Sequence, residues 1–192
     1  MQDVKDSKQA TVRIGYDGKV HKTFRGPLAE RRFENELKVL RYLETQDCPF
    51  VPRVLEHDVE KLYMVTTNCG TIVDKISQQK LEHLFHELEQ YGVKHDDPFA
   101  RNVTYNSDLG RFCLIDFEFA LIIATGEGFT LEELEAIHKI DKNRLALEKL
   151  AKVDESRKDY FLTVSGARAV ELTLGDFTCE SREQLRKELH LA

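Results

Sequence analysis

The stretch "KHDDPFARNVTYNSDLGRFCLIDFEFA", residues Lys94–Ala120, decides how this chain is interpreted. It begins with a polar run that holds two adjacent aspartates, a proline and an asparagine. The segments "NVTY" and "RFCLI" then predict two short strands, because "NSDLG" between them is typical of a turn. Polar runs of this kind are common in surface loops. The rest of the chain must show whether Asp97 and Asn102, five residues apart, are held there for chemistry.

Length and composition limit the kind of protein. A chain of 192 residues with 41% apolar content fits one compact domain, or two small lobes that share an interface. The net charge of −6 provides no basic field that would attract nucleic acid. The longest apolar stretch, "FALIIA" at 119–124, is too short to cross a bilayer. The four cysteines form no CxxC pair and no signal peptide opens the chain, so we expect a reduced, cytoplasmic protein.

Apolar periodicity predicts the elements of the first half. Residues 10–24 predict two strands joined at "YDG", where glycine supplies a positive φ. Apolar residues at helical spacing predict a helix from Leu28 to about Glu44. Two further strands are expected at "RVLEHD" and "KLYMVTT", and "NCG" (68–70) then predicts a crossover.

The second half is expected to be mainly helical. A second helix is predicted up to Gly92, and the strand pair quoted above follows it. A third helix is predicted from "TLEE" (130–133), a possible capping box, to about Leu150. A last helix is expected at "SREQ" (181–184), whereas residues 154–180 show no clear pattern. The whole order predicts an α+β fold with two lobes.

Two charged residues stand where apolar ones are expected. Lys22 alternates with Val20 and Phe24 on one face of a strand, and Glu36 lies on the apolar side of the first helix. Either could reach solvent at an edge, the lysine by extending its long side chain. If both are buried they need counter-charges, and together they then predict an internal ion pair that faces a cleft.

Asp97, Asn102 and Asp116 add oxygen and amide groups on turns. Asp116 follows the apolar "RFCLI", and Asn102 opens the strand expected to pair with it. Two such groups at neighbouring strand ends can share a hard divalent cation through oxygen ligands. A metal, a carboxylate and a remote lysine together meet the needs of phosphoryl transfer.

These residues resemble the motifs of the protein-kinase-like superfamily. "HDDPFARN" (95–102) is similar to the catalytic loop H-x-D-x-x-x-x-N, and "DFE" (116–118) is similar to the DFG element. The first half resembles, in order, the lysine strand, the helix with its glutamate partner and the strand before the hinge: "VHK" (20–22), "NELKVL" (35–40) and "LYMVTTNCG" (62–70). The resemblance covers about residues 11–120 and implies a bilobal kinase-like fold.

The resemblance also implies a role for each residue. Lys22 would hold the α- and β-phosphates of ATP, and Glu36 would fix Lys22. Asp97 would orient and deprotonate the acceptor hydroxyl, while Asn102 and Asp116 would bind Mg²⁺.

Four further residues receive roles in the same way. Arg101 could approach the transferred phosphate, or it could be a solvated arginine. Val20 would cover the adenine, and backbone groups of Thr67 and Cys69 in the hinge would bind the edge of the base.

The chain also departs from the family pattern. A complete G-x-G-x-x-G loop is missing before Lys22, where only one hairpin with Gly15 and Gly18 is expected. Glu118 replaces the DFG glycine, which resembles choline and aminoglycoside kinases. The chain that follows is short, which resembles RIO-type and other small atypical kinases.

The sequence therefore predicts a reduced N-lobe over residues 1–67, a hinge over 68–72 and a short, mainly helical C-lobe over 73–192. The predicted function is Mg-ATP-dependent transfer of the γ-phosphate to a hydroxyl, with a protein serine or threonine favoured over a small molecule. The alternative is a catalytically slow nucleotide-binding scaffold, or pseudokinase, that acts through a protein partner. Nucleic acid and membrane partners are not expected.

Overall fold

The computed structural model describes residues 2–154, and these form an α+β protein as the sequence predicts. Two compact units meet in the sequence after Glu133: Met1–Glu133 and Leu134–Ala192. The predicted hinge at 68–72 lies inside the first unit, so its division into two lobes stays a prediction. The helix expected at 181–184 lies outside the described residues.

The first half forms a five-stranded antiparallel sheet with the order β1-β2-β3-β5-β4. Its strands are β1 (Gln2–Asp6), β2 (Ala10–Ile14), β3 (Val20–Phe24), β4 (Val54–Asp58) and β5 (Tyr63–Thr66). The expectation of only one hairpin before Lys22 is wrong, because β1 precedes it. The sequence "QDVKD" contains a single apolar residue, so its pairing with β2 leaves no alternating pattern to detect.

Helix α1 (Ala29–Thr45) connects β3 to β4, within one residue of the predicted helix. Phe33, Leu40 and Leu43 are fully buried on one side, because residues spaced by three and four share a helix face. The helix packs on β3 and β4. It also contacts two strands of the second half, β10 (Ala120–Ile122) and β11 (Glu127–Phe129).

The second half contains more strand than the single hairpin that the sequence predicts. Helix α2 (Gln78–Gln90) is present, and two three-stranded sheets have the orders β6-β8-β9 and β11-β10-β7. Strands β8 (Val103–Asn106) and β9 (Arg111–Leu114) are the expected hairpin. Strands β6 (Thr71–Ile72) and β7 (Val93–His95), together with β10 and β11, are additional. Strands of two or three residues are too short to show a period, so only their pairing partners reveal them.

Helix α3 (Leu131–Asp154) begins at the predicted capping box. The Thr130 N–H donates to Glu133 Oε2 at 2.9 Å, and the Glu133 N–H donates to Thr130 Oγ1 at 3.1 Å. These reciprocal bonds satisfy donors that a helix start leaves without partners. Within residues 2–154 no helix has the length and apolar character needed to cross a membrane.

Candidate active site

Lys22 lies at the centre of a buried cluster of carboxylates. Its ammonium group donates to Glu36 Oε2 at 2.6 Å and to Asp116 Oδ1 at 2.7 Å, and it lies 2.9 Å from Glu118 Oε1. The lysine is only 9% exposed and Glu36 only 5%. Neither side chain therefore reaches solvent at an edge of the fold. The ion pair expected between Lys22 and Glu36 is present.

Burial and charge act in opposite directions on this cluster. Burial by itself lowers the pKa of Lys22, but the carboxylates of Asp116, Glu36 and Glu118 outweigh it and raise that pKa well above its ordinary value. Burial raises the pKa of Glu36 to about 7, although the Lys22 charge opposes the rise. Lys22 is therefore a cation at neutral pH, whereas burial makes the Glu36 carboxyl costly to ionise.

Helix α1 holds the segment after Asp116 with two residues that the sequence interpretation missed. Arg32 Nη1 donates to Glu118 Oε2 at 2.8 Å, so Glu118 bridges two buried cations. The Asn35 amide donates to the carbonyls of Glu118 at 3.0 Å and Ala120 at 3.1 Å. Arg32, Asn35 and Glu36 share one face of α1 at helical spacing. Three polar residues on a face that also carries apolar ones are the signal that could have found them.

A second cluster forms on the loop that carries Asp97. Asn102 Nδ2 donates to Asp97 Oδ2 and to the Asp97 carbonyl, each at 2.8 Å, so the five-residue spacing closes the loop on itself. Arg101 forms an ion pair with Asp97 Oδ1 and lies over the exposed ring of Phe99, 4.4 Å from its centre. The Arg101 side chain is itself 63% exposed. Both oxygens of Asp97 thus accept hydrogen bonds in this arrangement.

Backbone contacts join the two clusters through Ile115, the residue before Asp116. The Ile115 N–H donates to the Asn102 carbonyl at 3.0 Å, and the buried His95 ring lies 3.3 Å from the Ile115 carbonyl. The Asp97 N–H donates to the other ring nitrogen of His95 at 3.1 Å. Burial lowers the pKa of His95, which favours a neutral ring that can accept this bond. His95 therefore supports the loop.

Asp116 leaves its strand with a backbone turn that places it in the first cluster. Its φ of 67° lies in the left-handed region, which is uncommon for a residue other than glycine. The structure therefore brings Asp116 together with Lys22, Glu36 and Glu118, whereas it joins Asn102 to Asp97. Strained backbone of this kind is concentrated at functional sites.

The hinge predicted at 68–72 is tied to the second half of the unit. The Thr67 N–H donates to the Arg53 carbonyl at 2.9 Å, and the Cys69 carbonyl accepts from Thr104 Oγ1 at 2.7 Å. A Cβ atom at Gly70 would lie 2.0 Å from the Tyr105 carbonyl oxygen, so only glycine fits there. One backbone group of Thr67 and one of Cys69 are thus used inside the protein. Val20, opposite Thr66 in the sheet, is half-buried.

The turn between β1 and β2 precedes the hairpin with Gly15 and Gly18 that the sequence predicts. Residues 7–9 connect the strands without a glycine. Ser7 Oγ accepts from the Ala10 N–H at 3.1 Å, and Arg25 Nε donates to the Ser7 carbonyl at 2.7 Å. Gly15 and Gly18 lie instead in the turn between β2 and β3, where the Gly18 N–H donates to the Gly15 carbonyl at 3.1 Å.

The carboxylates of the first cluster have the chemistry of a metal site. In the described part of the chain, oxygens of Glu36, Asp116 and Glu118 lie within 4.8 Å of one another. Mg²⁺ prefers oxygen ligands of this kind, so the donor set fits the expected cation. The sequence named Asn102 and Asp116 as ligands, and the geometry adds Glu118 as a neighbouring donor.

Comparison of the chain with protein-family models and with curated proteins finds no match. Functional assignment therefore depends on the geometry of the two clusters. The first combines a buried lysine with three carboxylates, and the second presents Asp97 beside an exposed arginine.

Proposed function

We propose that this chain is a small kinase-like phosphotransferase that moves the γ-phosphate of ATP to a hydroxyl group in the presence of Mg²⁺. One observation carries the proposal: Lys22, on the third strand of an antiparallel sheet, is ion-paired with Glu36 of the following helix and with Asp116. Protein kinases place their nucleotide lysine on the third strand and pair it with a helical glutamate. Our proposal therefore includes a bilobal, kinase-like arrangement of the first unit.

Lys22 is the proposed ligand of the α- and β-phosphates. Its raised pKa keeps it charged, and a buried cation attracts phosphate more strongly than an exposed one. Glu36 and Glu118 hold the ammonium group from two sides, so its position is fixed before a nucleotide arrives. Preorganisation of this kind lowers the cost of binding.

Asp97 is the proposed base for the acceptor hydroxyl. Asn102 orients one of its oxygens, while Arg101 occupies the other from the solvent side. An incoming hydroxyl would take the place of Arg101, whose exposed ion pair is weak and easily exchanged. The released guanidinium would then be available to the transferred phosphate.

The hinge offers a pattern that suits adenine. Among the described residues, the Thr67 amide and the Cys69 carbonyl form internal hydrogen bonds, so the Thr67 carbonyl and the Cys69 amide are the acceptor and the donor that we propose for the base. The amino group and N1 of adenine offer the complementary donor and acceptor. Val20 would then cover the face of the base.

Asp116 and Asn102 are the proposed Mg²⁺ ligands, with Glu118 as an additional carboxylate. When bound, the cation would neutralise phosphate charge that Lys22 alone does not balance. The left-handed backbone at Asp116 directs its carboxylate toward Lys22, so the residues for the metal and for the phosphates lie side by side.

A protein serine or threonine is the favoured acceptor. Phe99 and Arg101, beside Asp97, are both exposed, so this side of the loop is open to a large substrate. A small-molecule hydroxyl, as in choline or aminoglycoside kinases, is the alternative within the same chemistry.

A catalytically slow nucleotide-binding scaffold is the second candidate, and one observation favours it. Residues 7–9 form a tight turn without glycine, which lacks the flexible backbone that covers phosphates in protein kinases. A scaffold of this kind would bind the nucleotide and act through a protein partner.

One experiment tests the proposal: thermal stabilisation by ATP with and without Mg²⁺, measured together with γ-phosphate turnover. We expect metal-dependent stabilisation of the wild type and its loss in Asp116→Asn. Asp108→Asn is the matched control, because Asp108 is exposed on the turn between β8 and β9.

The outcomes separate the candidates. Absence of metal-dependent stabilisation in the wild type would exclude the kinase, and absence of any stabilisation by ATP would exclude the scaffold as well. Stabilisation with turnover on a generic protein substrate or on small aminoalcohols supports the kinase. Stabilisation without turnover on either supports the scaffold.

A further inference from the structure

The first turn of α3 is bound from two different directions. The Leu131 N–H donates to Asp96 Oδ2 at 2.6 Å, and Glu133 Oε1 accepts from Arg31 Nη2 at 3.0 Å. The capping box between Thr130 and Glu133 stabilises this turn. The loop that contains Asp96 and helix α1 therefore both contact the first turn of α3.

On one side, Asp96 immediately precedes the proposed base Asp97. Its N–H donates to the Phe119 carbonyl at 2.9 Å, while its carboxylate binds the α3 turn. A carboxylate that accepts from a backbone N–H at a helix N-terminus makes a strong, charge-assisted bond. The sequence offered Asp96 no role, but the structure shows that both its backbone and its side chain are fixed.

On the other side, Arg31 lies on α1, five residues before Glu36. Its guanidinium pairs with Glu133 and lies 4.3 Å from the centre of the Phe129 ring. Seven residues further along the same helix, Lys38 pairs with Glu127 at 3.3 Å. These two ion pairs are exposed and individually weak, but α1 also packs on β10 and β11. Because an α-helix is stiff, these contacts together hold Glu36 in position relative to residues 120–133.

We propose that Asp96 is a positioning residue that ties the loop carrying Asp97 to helix α1 through the first turn of α3. Glu133 is the second half of this tie. Residues 120–133 then hold the two clusters of the active site in one relative position. No covalent modification is needed to order that segment. This inference rests on the proposed function, because a phosphotransferase requires Asp97 and Lys22 to be held at a fixed position relative to each other.

Hydrogen–deuterium exchange and steady-state kinetics of the full chain test the tie. Asp96→Ala removes the acceptor of the Leu131 N–H. Asp96→Asn retains one acceptor oxygen, so this variant should keep the wild-type exchange and kinetics. Glu132→Ala is the control, because Glu132 is an exposed acid in the same helical turn and its loss, like that of Asp96, removes one negative charge near the helix N-terminus.

We expect Asp96→Ala to increase exchange in residues 95–102 and in α1 together, with the core of the five-stranded sheet unchanged. We expect kcat to fall by roughly 10-fold to 100-fold with an unchanged KM for ATP, as for a misplacement of about 1 Å. Glu133→Ala should increase exchange in the same two segments.

Three results would overturn the tie: unchanged exchange in either segment, a uniform increase over the whole chain, or equal effects of Glu132→Ala. Exchange is measured without nucleotide. If the wild type shows no phosphate transfer, the proposed function fails, and the exchange pattern still decides whether Asp96 couples the loop to α1.

Discussion

Replacing Lys22 by methionine tests the electrostatics of the first cluster. The substitution removes the cation that lies 2.6, 2.7 and 2.9 Å from Glu36, Asp116 and Glu118. Arg32 still pairs with Glu118 at 2.8 Å in the variant. We expect the substitution to destabilise the fold.

The magnitude follows from the burial of the partners. The side chains of Glu36 and Glu118 are only 6% and 8% exposed, so they cannot turn to water, whereas that of Asp116 is 29% exposed and can do so in part. Removing one member of a buried ion pair costs about 3–5 kcal/mol. For a chain of this size, that loss lowers the unfolding midpoint by roughly 10 °C.

The loss should also depend on pH. Without Lys22 the carboxylates are harder to ionise in the folded chain, so the folded variant binds protons that the unfolded chain releases. The free energy of unfolding of the variant therefore rises as the pH falls from 7 to 5. The difference in this free energy between the variant and the wild type becomes smaller.

Urea unfolding at pH 5 and pH 7 measures both effects. Lys61→Met is the matched control, because Lys61 pairs with Asp58 at 2.6 Å on the surface with its side chain 78% exposed. We expect no measurable change for the control. A Lys22→Met variant as stable as the wild type at pH 7 would refute the reasoning.

Two further predictions concern Glu36 and Gly70. The pKa of Glu36 is raised from 4.5 to about 7, so the folded chain binds the extra proton in this window and wild-type stability falls as the pH rises through it. Glu36→Gln should flatten that slope in urea unfolding at pH 5, 6 and 7, and an unchanged slope would contradict the assignment. Gly70→Ala should cost at least roughly 2 kcal/mol, because φ is 94° and the new Cβ meets the Tyr105 backbone. Gly110→Ala, at a φ of 64° with open space around it, should cost only about 1 kcal/mol, and equal losses in thermal unfolding would disprove the clash.

The first half of the fold was predictable because its signals are local. Helix α1 and strands β2 to β5 follow apolar periods of suitable length, and the capping box marks the start of α3. Strand β1 and the strands of two or three residues in the second half were not predictable. They are stabilised by hydrogen bonds to partners that are distant in sequence, such as β7 with β10.

The sequence by itself determined which residues carry the proposed chemistry. Lys22 and Glu36 stood out because a charge on an apolar face needs a partner, and Asp97 and Asn102 stood out by their spacing.

Only the tertiary structure decided how these residues are held. It placed Glu118 between Lys22 and Arg32, and it gave Asp96 a partner 35 residues away on α3. The physical reason is that a charge on an apolar face is visible within one element, whereas the identity of its partner depends on which elements pack together.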